Sequence, residues 1–377
     1  MYNIATLNKI SPVGLANLSE KYQVSDDLST ATGILVRSQD MHEMDFADSL
    51  LAIARAGAGV NNIPLDKCAD QGIVVFNTPG ANANAVKELV IAGMFLSARN
   101  IPQALIWASG LTEDISKQVE KGKKQFAGTE IAGKTLAVYG LGAIGGKVAN
   151  AACALGMNVL GYDAFLTPAA AHALNPDINI VKDPKEMLGV ADYVSLHIPA
   201  NDQTKGSVNA SFFAMMKDGA VLLNYARDKL INDDDLLAAL ESGKLGRYVT
   251  DFVTDKIAGA KGVIFTPHLG ASTEEAEDNC ATIAVDEIMD FVEKGNIRNS
   301  VNFPAASLPL TEGETRIAVT TKGIAAPVDA VVKGLGVTVN GVAGGARGDY
   351  GYVLVSTMDD VTSIPEIEGV TRVRVIK

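Results

Sequence analysis

The sequence predicts an α/β protein of doubly wound parallel sheets, followed by a small α+β unit. Three observations carry this. Short, continuously apolar runs alternate with helical patterns through most of the chain, as parallel strands covered on both faces require. One such run, 136–139, leads into a G-x-G-x-x-G turn at 140–145 (GLGAIG) that opens a helix. From Arg316 onward the grammar changes to strand, helix, two strands, helix, strand, the order of a ferredoxin-like unit.

The elements follow in order. A first strand occupies 1–7, and further strands are expected at 33–38, 51–57 and 72–77, bounded by glycine or polar turns. A helical pattern over 85–99 carries the chain into a second domain. That domain holds the glycine turn and a strand over 158–162, which ends in Asp163. Later strands fall at 193–197, 220–224, 248–251 and 263–266. Between two of them Asn232 caps a helix over 233–241, with acids in its first turn and Gly243 at its end. Strand, helix and strand recur at right-handed crossover spacing. A helix over 274–293 returns the chain to the first domain, and 299–304 (NSVNFP) begins a linker.

The glycine turn has a ligand logic. Gly140 makes the tight turn, Gly142 lets a diphosphate approach the backbone, and Gly145 lets helix and strand pack closely. Free N–H groups and the dipole at the helix N-terminus hold the diphosphate. Asp163, about 20 residues beyond, stands where a ribose-binding acid belongs. A carboxylate there accepts from a ribose 2′-hydroxyl and repels a 2′-phosphate, so NAD is expected over NADP.

Composition narrows the class. A chain of 377 residues has room for two or three cores. Its net charge of −12 argues against nonspecific nucleic-acid binding and against an anionic membrane surface. No apolar run approaches a membrane span, and the start reads as a strand and not a signal peptide. Cys68, Cys153 and Cys280 are far apart and lack C-x-x-C spacing. They read as buried small hydrophobes in a reducing cytoplasm, with no disulfide framework. No two His or Cys stand at ligand spacing, so no metal is expected.

In an open α/β sheet, ligands sit outside the carboxyl ends of the strands, and the informative polar residues gather there. Arg227 follows the strand ending at Asn224, Asp251 ends the next strand, Asp255 lies in the loop beyond, and His268 follows 263–267. An Arg, an acid and a His at successive strand ends suit oxidation of a hydroxyl to a carbonyl: a nicotinamide takes the hydride and the His takes the hydroxyl proton. A carboxylate beside the imidazolium raises its pKa and orients it. A guanidinium clamps a substrate carboxylate at two points. Of the other histidines, His42 lies among Asp40, Glu43 and Asp45 and reads as solvated, His172 lies in an alanine-rich helix, and His197 ends a strand where it reaches the cofactor.

At this point the chain resembles the D-2-hydroxyacid dehydrogenase family over essentially its whole length. The stretches that carry the resemblance are 36–38 (VRS), 57–62 (GAGVNN), 77–84 (NTPGANAN), the glycine turn with Asp163, 224–227 (NYAR), 267–273 (PHLGAST) and 299–304. The C-terminal unit resembles an ACT domain, including 347–350 (RGDY) and 369–376 (GVTRVRVI). The resemblance implies a discontinuous flavodoxin-like substrate domain at 1–97 and 279–310. Into it is inserted a Rossmann NAD domain at 98–278, and an ACT-like ferredoxin-like domain follows at 314–377. It further implies NAD-dependent oxidation of 3-phospho-D-glycerate to 3-phosphohydroxypyruvate, the first step of serine synthesis, by a cytoplasmic homodimer or homotetramer.

Residue by residue, the resemblance places Arg37 and Ser38 at the substrate's phosphate end and the backbone of Ala58 and Gly59 at its carboxylate. Arg227 grips carboxylate and carbonyl oxygen, and His268 is the acid/base. Thr78, Ala143, Ile144, Asp163, Tyr225, Ala226 and Asp251 line NAD, Asp251 meeting the nicotinamide amide. Gly140, Gly142, Gly145, His197, Ile198, Pro199, Arg227, His268, Gly270 and Ala271 complete that lining. The sequence also departs from the family. Lys256 stands where the family has the Glu that partners the catalytic His, and Asp255 beside it is the expected substitute. Asn61 replaces a common acid, and 320–326 (TTKGIAA) lacks the His and Asn with which regulated relatives bind serine. Two further readings stay open: a dehydrogenase for an unphosphorylated 2-hydroxy acid, and a non-enzymatic NAD-sensing scaffold.

Overall fold

Residues 1–361 and 363–377 are described in the computed structural model, and they group into two units, Met1–Asn82 with Thr273–Lys377, and Ala83–Ser272. In the first, β1 (Tyr2–Leu7), β2 (Tyr22–Ser25), β3 (Gly33–Val36), β4 (Ala52–Arg55) and β5 (Val74–Asn77) form a parallel sheet in the order β2-β1-β3-β4-β5. This is the flavodoxin-like order. β3, β4 and β5 are buried along nearly their whole length, which is why their sequences are apolar without alternation. The helix Glu274–Lys294, capped by the Thr273 side chain, lays Ala281, Ala284, Ile288 and Phe291 against Ile4, Leu35, Ala54 and Phe76. Gly14 admits that helix: a Cβ there would meet the Ala281 backbone at 2.5 Å.

In the second unit, β6 (Thr135–Tyr139), β7 (Asn158–Tyr162), β8 (Asn179–Ile180), β9 (Tyr193–Leu196), β10 (Ala220–Asn224), β11 (Leu245–Thr250) and β12 (Val263–Phe265) form a seven-stranded parallel sheet. Its order is β12-β11-β10-β9-β6-β7-β8. The strand order reverses at β6 and β9, so their carboxyl ends mark the switch point where a nucleotide belongs. The helix Asp233–Glu241 forms as expected, with Asn232 Oδ1 accepting from Asp234 and Asp235 N–H and three acids in its first turn.

The division falls at 82/83 and 272/273 and not at 97/98 and 278/279. The whole helix Ala83–Ala98 belongs to the second unit, because Val86, Val90, Met94 and Ala98 are buried with Leu136, Val148, Leu223 and Val249. The elements that the sequence reading did not place include the short edge strands β2 and β8 and the helices Ile101–Ser109 and Ile115–Gly122. No single helix among the described residues is long and apolar enough to cross a membrane; the apolar pair Ala83–Ala98 and Ile101–Ser109 is bent by 70°. Cys68 and Cys280 are buried, whereas Cys153 is only half-buried.

The C-terminal sheet is antiparallel, β14 (Gly341–Arg347), β15 (Tyr350–Thr357), β13 (Thr315–Lys322) and β16 (Val370–Ile376) in that spatial order, with the helix Pro327–Leu335 on one face. The expected second helix does not form among the described residues between β15 and β16. The described residues of that stretch, among them Pro365 and Gly369 (φ +80°), form no helix, while Ile364 and Ile367 pack against the same core as Val331 and Leu335. The other face is not separate from the first unit. Ala318, Tyr352 and Leu354 share a core with Phe76, Phe291 and Phe303, and the Tyr352 hydroxyl donates to Gly295 O.

Arginines fix this face. Arg316, 1% exposed, donates to Glu314 Oε1 (2.6 Å), Lys294 O (2.9 Å), Leu308 O (3.2 Å) and Pro309 O (2.6 Å). Arg374 donates to Val292 O (2.7 Å) and lies over the Phe291 ring, and Arg372 reaches Leu50 O and Asp48 O. Cations thus meet the carbonyls that the last turn of Glu274–Lys294 leaves unpaired. Arg316→Ala would strand the buried Glu314 carboxylate and three carbonyls. It is expected to cost about 3–5 kcal/mol in urea unfolding; a loss below about 1 kcal/mol would show that the anchor contributes little.

Candidate active site

β6 delivers the chain to the glycine turn, and each glycine has a separate physical reason. Gly140 takes φ +100°, donates its N–H to Tyr162 O (2.7 Å), and a Cβ on it would meet His197 O at 2.6 Å. A Cβ on Gly145 would land on the Gly140 carbonyl oxygen. At Gly142 the Cβ position faces open space with no atom within 4 Å. The helix Gly145–Ala154 that follows has no side-chain cap. Asp163, at the end of β7, accepts from Leu141 N–H (2.7 Å) and Phe165 N–H (2.8 Å), which fixes its carboxylate at the rim of the turn. An open backbone cradle, an uncapped helix N-terminus and a rigid acid fit a diphosphate and a ribose diol.

At the end of β9, His197 shares a hydrogen bond with Ser195 Oγ (2.8 Å); burial pulls its pKa down to about 4, so it is a neutral imidazole at neutral pH. Ile198 and Pro199 continue from it. At the end of β10 stands Asn224, fully buried. Its Oδ1 accepts from Ala226 N–H (3.1 Å) and Arg227 N–H (3.3 Å), and its Nδ2 donates to Arg227 O (2.9 Å) and Tyr248 Oη (3.0 Å). That one amide shapes the turn 225–227. Tyr225 points inward and Arg227 outward, with Arg227 Nη1 donating to Ala226 O (2.6 Å).

At the end of β11, Asp251 is 3% exposed. Burial pushes its carboxyl pKa up, while the Gly270 N–H on Oδ2 (2.9 Å) and the nearby His268 pull it down. Its Oδ1 is buried without a hydrogen-bond partner, an unmet acceptor that suits an amide N–H of a nicotinamide. Gly270 permits this approach: a Cβ there would crowd Asp251 Oδ2 at 3.2 Å and Val86 Cγ2 at 3.3 Å. Beyond β12, the exposed His268 ring lies 4.3 Å from the Phe252 ring, and the Arg227 guanidinium is 5.8 Å from the same ring centre. Phe252 therefore neighbours both the Arg227 guanidinium and the His268 ring, with Asp251 one residue before it.

The structure brings Arg227, Asp251 and His268 together and adds Phe252 and Asn224, which the sequence reading did not single out. A short polar residue at the last position of a buried strand was the available signal for Asn224. It does not bring Asp255 to His268. Asp255 is exposed and joined to it by neither hydrogen bond nor ion pair, while Lys256 pairs with Asp234 at 2.6 Å. The acid whose charge reaches His268 is Asp251, the last residue before the loop. Ala143 and Ile144 lie in the glycine turn, and Ala271 follows Gly270. His172 is exposed, and His42 pairs with Asp40 at 2.6 Å. Among the described residues no group of three or more His, Cys, Asp or Glu is placed to hold a metal ion.

The remaining expected residues lie at strand ends of the first unit. Arg37, after β3, pairs with Glu277 at 2.7 Å, and the Ser38 and Gln39 N–H groups donate to Asn8 Oδ1 at 2.9 and 2.8 Å. Asn8 takes the left-handed conformation (φ +72°) to do so. Ala58 and Gly59 follow β4, where Ala58 O accepts from Asn77 Nδ2 at 2.6 Å. Thr78 is fully buried after β5, its N–H on Gly57 O.

The strand ends of the second unit are those of a dinucleotide-binding α/β protein, with an arginine, an acid and a histidine at the ends of β10, β11 and β12. Comparison with known proteins narrows the class. Residues 92–270 match the D-isomer specific 2-hydroxyacid dehydrogenase, NAD binding domain. The chain is 34% identical over 310 residues to the D-3-phosphoglycerate dehydrogenase of Methanocaldococcus jannaschii, covering 80% of this chain and 57% of that one. It is 33% identical over 324 residues to that of Bacillus subtilis, covering 81% and 60%. It thus spans little more than half the length of these curated relatives. The NAD+-bound 3-phosphoglycerate dehydrogenase of Entamoeba histolytica aligns with a TM-score of 0.64 at 27% identity, covering 80% of this chain and 98% of that one. Residues 92–270 thus resemble the NAD-binding domain of the D-isomer specific 2-hydroxyacid dehydrogenases, and the similarity to the curated relatives extends beyond that segment to 310 residues.

Asn224 should be the least replaceable residue of this site. Asn224→Ala removes four hydrogen bonds and leaves Tyr248 Oη and Arg227 O short of a partner. It is expected to lower unfolding free energy by about 2–4 kcal/mol. Chemical denaturation of the purified variant measures this, and a near-neutral result would show that the turn is held by other means.

Proposed function

We propose that the protein is an NAD-dependent dehydrogenase that oxidises 3-phospho-D-glycerate to 3-phosphohydroxypyruvate, the first step of L-serine synthesis. The observation that carries it is the constellation at the ends of β10, β11 and β12, Arg227–Phe252–His268 with buried Asp251, in a chain whose curated relatives bear that name. NAD would be held by the Gly142 cradle and the N–H groups opening Gly145–Ala154, by Asp163 at the ribose and by Asp251 Oδ1 at the carboxamide. Tyr225, Ala226, His197, Ile198, Pro199, Gly270 and Ala271 complete the lining within the second unit. Bound NAD supplies the hydride acceptor.

The chain's own residues do the rest. Arg227 holds the substrate carboxylate and the reacting oxygen, because a planar guanidinium offers two parallel donors. The hydroxyl proton passes to a His268 ring nitrogen as the carbonyl forms. Ionised Asp251 stabilises the imidazolium that results. The Phe252 face limits the tilt of both the imidazole and the guanidinium. In the first unit, Arg37 and Ser38 serve the phosphate end, and the backbone of Ala58 and Gly59 the carboxylate.

One observation favours a second reading, a dehydrogenase for an unphosphorylated 2-hydroxy acid: Glu277 already neutralises Arg37. NADH oxidation with 3-phosphohydroxypyruvate, pyruvate and glyoxylate separates the two. The first reading expects the phosphorylated substrate to have the highest kcat/KM. It also expects Arg37→Ala to lower kcat/KM for that substrate alone, by roughly tenfold to a hundredfold for a lost charge-assisted contact. Equal rates on all three would overturn it. In the same assay His268→Ala abolishes turnover, and Asp251→Asn costs far more than Asp255→Ala; the reverse ranking would return the partner role to Asp255.

The C-terminal sheet serves assembly or regulation as an ACT-like domain, and the enzyme works in the cytoplasm as a homo-oligomer. The support for self-association is an apolar face on the helices Ile101–Ser109 and Ile115–Gly122, where Ile106 is 75% and Leu105 64% exposed. Ile106→Glu should shift the sedimenting species toward monomer; an unchanged sedimentation profile would exclude this face.

A further inference from the structure

The first unit holds a buried carboxyl that the proposed chemistry leaves unused. Glu287, in the middle of Glu274–Lys294, is 7% exposed. Its Oε1 accepts from Asn299 Nδ2 at 2.5 Å, and its Oε2 is buried with no hydrogen-bond partner. Burial and the neighbouring Asp286 push its pKa up to about 7, against the Asn299 hydrogen bond and the Arg298 charge. A buried ionisable group is costly, so what it holds matters.

It holds one end of a strap. Residues 299–303 run along the free edge of β5: Ser300 bridges Phe76, Val301 N–H donates to Val75 O (2.9 Å), and the Asn302 side chain bonds both Val75 N–H and Ile73 O (2.9 Å each). Asn299 closes this strap, its carbonyl accepting from Asn77 N–H (3.4 Å). Asn77 in turn donates its side-chain amide to Ala58 O (2.6 Å). A continuous path of hydrogen bonds therefore runs Glu287–Asn299–Asn77–Ala58, from the helix to the loop after β4. The peptide plane makes the last step directional. A trans peptide sets the C=O of Ala58 and the N–H of Gly59 opposite one another. Anchoring the oxygen to Asn77 therefore turns the Gly59 N–H the other way, away from Asn77.

We propose that Glu287 and Asn299 are positioning residues that act through Asn77 to set the Gly59 N–H for the substrate carboxylate. This rests on the reading that the Ala58–Gly59 backbone grips that carboxylate. It goes beyond that reading by assigning the orientation of the loop to a carboxyl on a different element.

The test is steady-state kinetics of the full chain with NADH and 3-phosphohydroxypyruvate. Glu287→Ala and Asn299→Ala are each expected to raise KM for the keto acid about tenfold, the scale of one lost hydrogen bond. The KM for NADH should stay unchanged and kcat should move by less than about twofold. Glu287→Gln should restore the wild-type KM, because the amide oxygen still accepts from Asn299. The double variant should be no worse than either single one. Gly57→Ala reports on the loop itself, since φ +153° is strained for any residue with a Cβ. If Gly57→Ala raises the keto-acid KM while Glu287→Ala and Asn299→Ala do not, the relay is wrong. If none of the three moves it, the loop does not bind the carboxylate and the proposal falls with that reading. A uniform fall in activity with both KM values altered and a lower unfolding temperature would reduce Glu287 to a structural residue. Should Glu287→Ala fail to fold, Asn299→Ala alone decides, because Asn299 is only half-buried.

Discussion

The site in the second unit depends on a single buried amide. Asn224 sits at the last position of β10, where the sheet ends and the chain must turn, and it meets that turn with two donors and one carbonyl oxygen. An Asp would lack the donors that Arg227 O and Tyr248 Oη need, and a Gln would overreach by one methylene. The backbone of Asn224 extends the same control sideways. Its carbonyl accepts from Thr250 Oγ1 (2.8 Å), and Thr250 Oγ1 accepts from Phe252 N–H (2.9 Å). The Phe252 ring then faces both Arg227 and His268. Fully satisfied buried networks of this kind specify one geometry, because any slip strands a polar group in a dry place.

The electrostatics follow from where that network puts the charges. Asp251 is held in the sheet end, where desolvation opposes its ionisation and one backbone N–H favours it. A buried carboxylate with spare acceptor capacity gains most from a positive neighbour, and the charge of His268 pulls the Asp251 pKa down against the burial that raises it. An exposed loop acid such as Asp255 would be screened by water and give far less. This accounts for the tolerance of Lys256 at a position where a carboxylate was expected. Its ammonium is drawn off to Asp234, in the acidic first turn of Asp233–Glu241, and away from the imidazole.

Much of this was legible in the sequence wherever a local rule had only one solution. Buried parallel strands wrote themselves as apolar runs, the glycine turn as three glycines with three steric reasons, and the helix Asp233–Glu241 as a capped acidic start. Arg227, Asp251 and His268 could be placed because strand ends are where such sheets bind. What stayed hidden depends on contacts remote in sequence. β2 and β8 are short edge strands with little burial to pattern them. The grouping of the C-terminal sheet with the first unit rests on Arg316, Arg372 and Arg374. Their carbonyl partners at 294, 308 and 309, at 48 and 50, and at 291 and 292 carry no side-chain signature. Phe252 reads as a core aromatic until His268 and Arg227 are seen on its face. The missing helix before β16 shows the converse: a familiar order of elements suggested it, but Pro365 and Gly369 had local reasons against it.

Both sheets solve the strand-end problem with the same chemistry. Asn8 follows β1 and takes the Ser38 and Gln39 N–H groups, Asn77 ends β5 and takes Ala58 O, and Asn224 ends β10 and holds 226–227. An asparagine amide donates and accepts at short reach, so it can hold either sense of backbone group. It is also uncharged. A lysine would lack the acceptor and an aspartate the donors that these turns use, and either would add a full charge next to groups the chemistry needs. A neutral amide fixes a turn without changing the field that Arg227, Asp251 and His268 set at the strand ends of the second unit. Glu287, an ionisable group recruited to this bracing, is placed on the far side of Asn299 from the loop after β4.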